Sequence, residues 1–525
     1  MAKKIFFFIS ALGLFISFGV GYIWPHAHIL LFIVVPYILI GLYDLYISSH
    51  NILRNYPVIG HMRYILESIR PEMQQYFVAT NQSEQPFNRE TRSLVYQRAK
   101  LVNDTLPFGT QLDLYQPGYE YAHHSLSPKI VDPESERIWV GGDACKKPYH
   151  ASRLNISAMS YGALGHNAIE ALNWGAKMGN FAHNTGEGGL SPYHLKRGGD
   201  IILQLGTAYF GFRNPDGTFN PELFEQKANL DVVKMIEIKI SQGAKPSHGG
   251  LLPAAKISPE IAEIRGIPED EDCFSPPTHN TFSNPRELMT FITHLRELSG
   301  GKPIGFKLCI GIKREFFSIC KAMLETNVLP DFITVDGAEG GTGAAPVEFS
   351  NRLGMPINEA LPFVHNTLLG CGLRDKIRII SSGKIATGFD MMHKIAIGAD
   401  MCNSARAMMF TVGCIQARKC NTNECPTGVA TQDASRNEAL VPNEKRFHTY
   451  NYHKETVKSF LELTGAIGID HPDKLRPEFI YYRRDDMRAM NYSELFPQLA
   501  YRQLLEGKEI PSYFRDWNHA TADSF

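Results

Sequence analysis

The sequence predicts an α/β protein, a (β/α)8 TIM barrel with an N-terminal transmembrane helical hairpin. Two observations support the barrel: from Arg153 onward short apolar runs alternate with amphipathic helical runs, and polar or glycine-rich turns follow nearly every apolar run. Such alternation is typical of parallel strands joined by crossover helices. A third observation, the strongly apolar character of residues 1–47, supports the hairpin.

The N-terminal apolar stretch contains two segments. Ile5 to Trp24 is a run of twenty residues without a charge, which is long enough to cross a hydrocarbon core. Pro25 interrupts it, and Ile29 to Tyr43 is apolar again and reaches membrane length when it is extended to Ile47. We therefore expect a hairpin over residues 1–47.

Positive charges orient this hairpin. Lys3 and Lys4 precede the first segment and Arg54 follows the second. The positive-inside rule then predicts a protein of the inner (cytoplasmic) membrane whose catalytic domain faces the cytoplasm. A secretory signal peptide also begins with lysines and an apolar run, but here a second apolar segment follows directly and no small-x-small cleavage site is present.

The barrel is predicted over residues 151–435. The predicted strands are Leu154–Ala158, Asn180–His183, Ile201–Leu205, Met235–Ile240, Ile304–Leu308, Phe332–Val335, Ile377–Ser381 and Met401–Asn403. The helical runs between them include Ala168–Met178, Pro285–Leu298, Arg314–Glu325 and Thr387–Ile397. Two long connections, Ala208–Val232 and Ala244–Asn284, are expected on the C-terminal face, where such insertions shape the site. A doubly wound sheet shows the same alternation, but it gathers polar motifs at one switch point.

The flanking regions and the composition add little chemistry. Residues 48–150 are predicted to be an extension that packs on the barrel, and residues 436–525 a C-terminal helical extension with a helix at Lys445–Leu463. The net charge of −1 and the lack of a basic stripe argue against a nucleic-acid partner. Six of the nine cysteines are scattered, which indicates a reducing compartment rather than a disulfide framework.

Three turns rich in small residues follow the last predicted strands. They are Asp336–Ala344, Ser382–Lys384 and Asn403–Arg406. Glycine lets backbone N–H groups approach an anion, and the loops after strands seven and eight are a usual phosphate site in this barrel. Each turn alone is ordinary, but three together indicate a phosphorylated cofactor. No G-x-G-x-x-G or Walker sequence is present, so a dinucleotide or ATP is not favoured.

Three cysteines follow the last of these turns. Cys414, Cys420 and Cys425 have the spacing C-x5-C-x4-C, and Pro426 prevents a helix from continuing through them. Thiolates are the usual ligands of iron–sulfur clusters, and three of them suit a three-iron cluster. A zinc ion would need a fourth ligand, and no histidine stands at finger-like spacing. Three structural thiols are the remaining alternative.

Charged side chains follow the earlier strands. Lys245 lies in the turn after strand four, Arg265 lies further along the same connection, and Lys307 lies in strand five. A lysine beside a flavin stabilises its anionic reduced ring, and a lysine–arginine pair holds a dicarboxylate. Ordinary salt bridges are the alternative for each residue taken alone.

Several of these motifs occur in the same order in a known family. They are Ser157–Gly162, Asn184–Gly189, Glu237–Pro246, Gly340–Ala344 and Cys414–Gln432. Over roughly residues 150–435 the chain resembles the FMN-binding synthase domain of glutamate synthases. The resemblance implies a (β/α)8 barrel with FMN and a [3Fe-4S] cluster. It further implies that 2-oxoglutarate and ammonia give 2-iminoglutarate, which is reduced to L-glutamate by electrons passed through the cluster to FMN.

The resemblance also implies roles for single residues. Glu187, Lys245 and Arg265 would be catalytic, with Arg265 on a substrate carboxylate. Cys414, Cys420 and Cys425 would hold the cluster. The residues that would bind the cofactor are Ala158, Met159, Ser160, Gln242, Lys307, Gly341, Thr342, Gly383, Ser404, Ala405 and Arg406.

The chain departs from the family's pattern in four ways. The complete enzymes carry a glutaminase domain and a β-helix, which we do not find, so we expect ammonia to come from elsewhere. The family's lysine loop reads K-P-G-E-G-G-Q, whereas Leu251 stands here in place of the glutamine, which leaves the 2-oxo acid substrate open. Ser382 stands where the family has an aspartate. The apolar hairpin is foreign to the complete enzymes.

The leading hypothesis is a membrane-tethered glutamate synthase-type oxidoreductase. Its expected partners are a small 2-oxo acid or amino acid, an electron-donor protein such as ferredoxin or a reductase subunit, and an amidotransferase subunit that supplies ammonia. One alternative is a membrane-anchored amino-acid dehydrogenase that passes electrons to a membrane acceptor. A non-catalytic electron-transfer subunit is the other.

Overall fold

The structure is a computed structural model that describes residues 1–507 and 509–525. The chain divides into two compact units, Met1–Arg89 and Glu90–Phe525. Each unit is described by itself below.

The N-terminal unit is helical. Its α-helices are Ala2–Phe15, Gly21–Ile23, Leu31–Tyr46, Asn51–Asn55 and His61–Met73, with π-helical turns at Ile16–Val20 and Gln74–Val78 and a 3-10 helix at Pro25–Leu30. Two continuous helical stretches, Ala2–Ile23 and Pro25–Tyr46, are long and apolar enough to cross a membrane. The chain reverses at Trp24, whose extended conformation precedes Pro25.

Small residues bring these two helices close together. A Cβ atom on Gly41 would lie 2.0 Å from Phe6 Cε2, and one on Gly13 would lie 2.9 Å from Val34 Cγ2. Because Phe6 meets Gly41 while Gly13 meets Val34, the helices run antiparallel. Close approach through glycine is the usual way in which apolar helices pack without polar contacts.

Eight parallel strands form a closed barrel in the larger unit, which confirms the predicted TIM barrel. They are Leu154–Ile156, His183–Asn184, Ile201–Leu205, Val233–Lys239, Ile304–Leu308, Phe332–Asp336, Arg378–Ser382 and Met401–Ser404. The eighth strand closes on the first, with Cys402 opposite Leu154 and Asn403 opposite Asn155.

The prediction for the second barrel strand was wrong in its bounds. The strand is His183–Asn184 and not Asn180–His183. Asn180 has a φ of 53° and ends the preceding helix in the left-handed conformation. Asparagine favours that position at a helix C-terminus, so the backbone turns there before the strand begins.

The described α-helices of the larger unit surround the barrel and extend it. They are Arg89–Lys100 (which begins at the unit boundary), His166–Gly179, Pro192–Leu195, Pro221–Ala228, Pro259–Arg265, Pro285–Leu298, Lys313–Thr326, Val347–Arg352, Ile357–Gly370, Gly388–Ala396, Arg406–Thr411, Ala434–Glu438, Pro442–Ala466 and Tyr492–Leu495. The 3-10 helices are Pro133–Glu136, Ala254–Lys256, Arg374–Lys376, Pro472–Lys474, Pro477–Phe479 and Ser512–His519. Asparagine or serine side chains cap several N-termini, as Asn284 does by accepting from Glu287 N, 2.9 Å away.

Besides the barrel, the described part of the larger unit has three smaller sheets, of which two lie beside the chain's later segments and within a barrel connection, and the third is the hairpin described next. The strand Glu120–Ala122 pairs with Ile480–Arg483, which also pairs with Ala489–Asn491. The short strands Leu251–Leu252 and Cys273–Phe274 pair within a long connection of the barrel.

An antiparallel hairpin closes the N-terminal end of the barrel. Its strands are Arg137–Val140 and Tyr149–Ser152. Ile138, Val140, Tyr149 and Ala151 share one buried core with Ile202, Met235, Phe332, Ile380 and Met401, which stand near the starts of barrel strands. Burial of this end leaves the C-terminal end of the strands as the place for a site.

Candidate active site

A buried carboxylate forms the floor of the site. Glu237 points into the barrel from the fourth strand and is 1% exposed. It accepts hydrogen bonds from Gln204 Nε2 at 2.6 Å, Thr334 Oγ1 at 2.6 Å and Asn184 Nδ2 at 2.8 Å. Three donors from three strands satisfy the carboxylate, so Glu237 fixes the polar interior of the barrel.

Above this floor, Lys239 forms an ion pair with Glu187. Lys239 ends the fourth strand, two residues after Glu237 and on the same face, and its Nζ lies 2.8 Å from Glu187 Oε1. Burial alone would raise the pKa of Glu187, but Lys239 outweighs it with help from Lys245 and Arg265, so the pKa is lowered. Glu187 is therefore held as an anion.

Two glycines make room for the Glu187 side chain. A Cβ atom on Gly206 would lie 2.6 Å from Glu187 Cβ, and one on Gly250 would lie 2.7 Å from Glu187 Oε1. Both distances are shorter than van der Waals contact. Any larger residue at either position would displace the carboxylate.

Lys245 is buried beside this pair. It is 3% exposed, and its Nζ donates a hydrogen bond of 2.8 Å to the carbonyl oxygen of Ala344, in the glycine-rich loop after the sixth strand. Burial lowers its pKa to about 8, with Lys239 acting in the same direction and Glu187 against it. At neutral pH the side chain is a cation that releases its proton more readily than an ordinary lysine.

Arg265 brings a third cation to the site from the end of the helix Pro259–Arg265. It is 4% exposed, and its Nη2 donates to Tyr161 O at 3.1 Å and to Ser160 Oγ at 3.5 Å. Its Nε is buried and has no hydrogen-bond partner among the described residues. A buried unpaired donor on a guanidinium is the feature expected where an anionic group binds.

A second unpaired donor belongs to Gln242. Its Nε2 is buried without a hydrogen-bond partner in the described part of the chain. Gln242 follows the fourth strand, as Ala158, Met159 and Ser160 follow the first. The backbone of Met159 and Ser160 lies close to Gly186, since a Cβ atom on Gly186 would lie 2.8 Å from Ser160 N and 3.1 Å from Met159 C.

The loops after the fourth and sixth strands meet through Asp336. Its Oδ2 accepts from Gly243 N at 2.8 Å and lies 3.5 Å from Lys307 Nζ. A Cβ atom on Gly243 would fall 1.6 Å from Gly337 O, so only glycine allows this backbone approach. Lys307 is thereby placed beside the same loops.

The turns after the last strands face one another. Arg406 Nη2 donates to Glu339 O, and a Cβ atom on Gly341 would lie 2.8 Å from Arg406 Cδ. Gly383 has a φ of 140°. Ser404 is buried and donates to Ile385 O at 2.7 Å, and Ala405 precedes the helix Arg406–Thr411. Thr342, like Gly341 before it, is exposed, and it donates to Ala344 O at 3.3 Å.

The three cysteines share one loop after the helix Arg406–Thr411. Burial raises the pKa of Cys414 to about 12, and Cys420 and Cys425 act in the same direction. Burial also acts to raise the pKa of Cys425. Hydrogen bonds from the backbone N–H groups of Ala430, Thr427 and Val429 outweigh burial, so the pKa of Cys425 is lowered.

The type of ligand in this loop indicates which groups it could hold. Within residues 1–507 and 509–525, no three His, Cys, Asp or Glu side chains stand close enough to hold a metal ion. A single zinc ion requires ligands about 2.3 Å from one centre. Three thiols in one loop are the type of ligand that iron–sulfur clusters use.

The residues present also fit a flavin mononucleotide. Gln242 Nε2 and Arg265 Nε are unpaired buried donors among the described residues, and glycine-lined turns lie after the last three strands. The sequence patterns pointed to all of these residues but missed Lys239. Its signal was present, because Glu237 and Lys239 share one face of the strand and alternate with the apolar Ile236 and Ile238.

Comparisons with known proteins show which family the chain is similar to. The family model described as a conserved region in glutamate synthase matches residues 109–470. The glutamate synthase large subunit-like protein YerD of Bacillus subtilis is 39% identical over 492 residues, which are 86% of this chain and 93% of that protein. The archaeal glutamate synthase [NADPH] of Archaeoglobus fulgidus is 34% identical over 61% of this chain.

The relatives differ in how much of their length the chain covers. The match covers 60% of the Archaeoglobus fulgidus protein, so the chain spans less than two thirds of that enzyme. Among solved structures, a flavocytochrome b2 with sulfite bound is 13% identical, with 90% of this chain and 95% of that chain covered and a TM-score of 0.42.

Proposed function

We propose that this chain, which belongs to the glutamate synthase family, is an oxidoreductase that reduces a 2-imino acid to an amino acid. The favoured substrate is 2-iminoglutarate, formed from 2-oxoglutarate and ammonia, and the product is L-glutamate. The observation that carries the proposal is the buried group of Glu187, Lys239, Lys245 and Arg265 at the C-terminal end of the barrel.

The cofactor assignment rests on family membership and on the residues present. FMN, when bound, supplies the two electrons of the reduction as a hydride. Gln242 and Lys307 would lie at its ring, and Gly383, Gly341 and Arg406 at its phosphate. The cysteine loop would hold a [3Fe-4S] cluster that delivers electrons.

The protein's own residues then have distinct tasks. Arg265 binds one substrate carboxylate through its unpaired Nε, and Lys245 binds the other carboxylate or the 2-oxo group. Condensation of the 2-oxo group with ammonia forms the C=N bond and releases water. Lys245 is suited to donate a proton to the leaving hydroxyl, because burial lowers its pKa to about 8, and to take back the proton that the nitrogen loses. Glu187 stays anionic beside Lys239, so it accepts N–H bonds from the ammonia-derived nitrogen and orients it.

Flavin reoxidation tests the proposal. The purified holoenzyme is reduced anaerobically, mixed with 2-oxoglutarate and ammonium, and followed by flavin absorbance and by glutamate formed. We expect reoxidation with both reactants and none with glutarate, which lacks the 2-oxo group. Reduced flavin that persists with every 2-oxo acid and ammonium pair would contradict the proposal.

Lys302 provides a matched control for variants of the site lysines. It is 6% exposed, and it donates to Ala228 O at 2.6 Å and Leu230 O at 2.8 Å, before the fourth strand and thus at the opposite end of the barrel. We expect Lys245→Met to abolish reoxidation while Lys302→Met retains it. If both variants lost flavin reoxidation equally, the cause would be general destabilisation and not a role of Lys245 in the site.

A second candidate function is favoured by the two apolar N-terminal helices. In it the same chemistry runs in reverse, and a membrane-anchored dehydrogenase passes electrons from an amino acid to a membrane acceptor. Glutamate-dependent reduction of a soluble quinone by membranes, lost in Lys245→Met, would support this direction. The forward direction instead needs an electron donor such as ferredoxin or a reductase subunit, and ammonia that is free or supplied by an amidotransferase.

We further propose that Ala2–Ile23 and Pro25–Tyr46 cross the inner membrane as a hairpin, with the barrel in the cytoplasm. The support is their length and composition and the flanking lysines and arginine. Alkaline carbonate should leave the protein in the membrane fraction, and protease added to intact spheroplasts should spare the barrel. Release by carbonate would contradict the hairpin.

A further inference from the structure

Lys256 is a buried lysine outside the charged group described above. It ends the 3-10 turn Ala254–Lys256 and is 2% exposed. Its Nζ donates to the carbonyl oxygens of Ala163 at 2.6 Å, Ala430 at 3.1 Å and Cys420 at 3.2 Å. An ammonium group has three N–H donors, so the set of acceptors is complete.

The groups that act electrostatically on Lys256 are two cysteines and an arginine. Burial lowers the pKa of Lys256 to about 8, Cys420 and Cys425 act against that shift, and Arg265 adds to it. None of these neighbours is a carboxylate. A buried ammonium is costly unless an anion or well-aligned acceptors compensate it. Here the carbonyl groups do so, together with two of the proposed cluster ligands.

A second contact joins the same two stretches of chain. Asn423, between Cys420 and Cys425, donates from Nδ2 to Ala255 O at 2.9 Å. Thus the cysteine loop, residues 414–425, and the turn that holds Lys256 are linked in both directions. Nine residues after Lys256, the same connection ends its helix at Arg265.

The loop after the first barrel strand completes the network. Tyr161 O accepts from Arg265 Nη2, and Ala163 O accepts from Lys256 Nζ. Gln432 Nε2, from the chain that follows the cysteines, donates to Leu164 O at 2.9 Å. Arg265, Lys256 and the chain that follows the cysteines are therefore all hydrogen-bonded to the same short segment, residues 161–164.

We propose that Lys256 is a positioning residue that couples the cysteine loop to the segment 254–265, which carries Arg265. The proposal rests on the proposed function, because it takes the cysteines as cluster ligands and Arg265 as the substrate anchor. Lys256 fixes the distance between the two stretches through its hydrogen bonds. Its charge also offsets the negative charge of a reduced thiolate-bound cluster, which raises the reduction potential of that cluster.

Hydrogen exchange measured by mass spectrometry tests the hydrogen-bonded link. Full-length Lys256→Met is compared with Lys302→Met, which also removes a buried lysine held by carbonyl groups, but at the other end of the barrel. We expect faster exchange of residues 254–265 and 414–430 in Lys256→Met only. The comparison is repeated on protein freed of iron, because the hydrogen bonds of Lys256 do not require a cluster.

An EPR-monitored redox titration tests the charge. We expect a lower cluster potential in Lys256→Met and in Lys256→Gln, and the wild-type potential in Lys302→Met. Lys256→Gln keeps a donor without the charge, so it should restore part of the exchange protection but not the potential. If Lys256→Met does not fold, Lys256→Gln still tests whether the charge of Lys256 affects the cluster potential.

Two results would overturn the proposal. One is wild-type exchange of residues 254–265 in iron-free Lys256→Met. The other is a cluster potential unchanged in both Lys256 variants. Failure of the proposed function would be a separate result. Hydrogen exchange of the iron-free protein can be measured whether or not the chain catalyses the reaction, so it tests the role of Lys256 by itself.

Discussion

The pKa of Lys245 predicts how substrate binding depends on pH. Burial lowers this pKa to about 8, and we propose that the protonated form binds the dicarboxylate. The protonated share then falls from about nine tenths at pH 7 to about one tenth at pH 9, so the dissociation constant for 2-oxoglutarate should rise roughly tenfold. The measurement is a titration of the oxidised holoenzyme with 2-oxoglutarate, followed by the flavin difference spectrum, at half-unit steps of pH.

Variants at the same position separate this lysine from other titrating groups. Lys245→Arg keeps its charge throughout the range, so its affinity should be nearly constant up to pH 9. Unfolding does not explain a loss of affinity, since between about 8 and 10.5 the unfolded chain binds more protons at this lysine and stability rises with pH. A flat wild-type profile, or the same inflection in Lys245→Arg, would refute the assignment.

Four further outcomes are expected. Arg265→Lys loses the planar fork that grips a carboxylate and should raise the dissociation constant for 2-oxoglutarate about 10- to 100-fold in the same titration. Gly250→Ala would place a Cβ atom 2.7 Å from Glu187 Oε1, so turnover should fall about 100-fold with little loss of binding in steady-state kinetics. Gly243→Ala would place a Cβ atom 1.6 Å from Gly337 O, and the free energy of unfolding in urea should fall by about 2 kcal/mol or more with loss of bound flavin. Pyruvate, with one carboxylate, should reoxidise the flavin about 100-fold less efficiently than 2-oxoglutarate.

Much of the barrel was predictable because its elements are marked locally. The strand Ile304–Leu308 and the helix Pro285–Leu298 have the predicted bounds, since an apolar run and a capped proline start define them without help from the rest of the chain. The second strand was misplaced because the apolar pair after Asn180 looks like a strand, whereas the backbone there still leaves a helix. Local pattern does not distinguish a helix cap followed by apolar residues from the strand itself.

The hairpin that closes the barrel was not predictable in the same way. Its strands Arg137–Val140 and Tyr149–Ser152 have four residues each, too few to show a period among charged neighbours. Their apolar side chains become a core only against the barrel. Lys239 was missed for a related reason: a lysine at the end of a strand usually faces solvent, and barrel closure alone brings it to Glu187, whose motif follows a different strand.

Charge limits which substrates the site accepts. Glu237, in the floor of the site, is satisfied by three hydrogen-bond donors. Above it, Lys239, Lys245 and Arg265 act on Glu187, and with an oxidised, uncharged flavin ring these four side chains together carry a charge of +2. A 2-oxo dicarboxylate cancels that charge, whereas a monocarboxylate leaves one buried cation uncompensated, at a cost of about 3 kcal/mol. Leu251 is half-buried and pairs with Phe274 in a short strand. Its replacement of the family's glutamine changes no charge, so we expect the proposed preference for two carboxylates to be unaffected by this departure from the family's pattern.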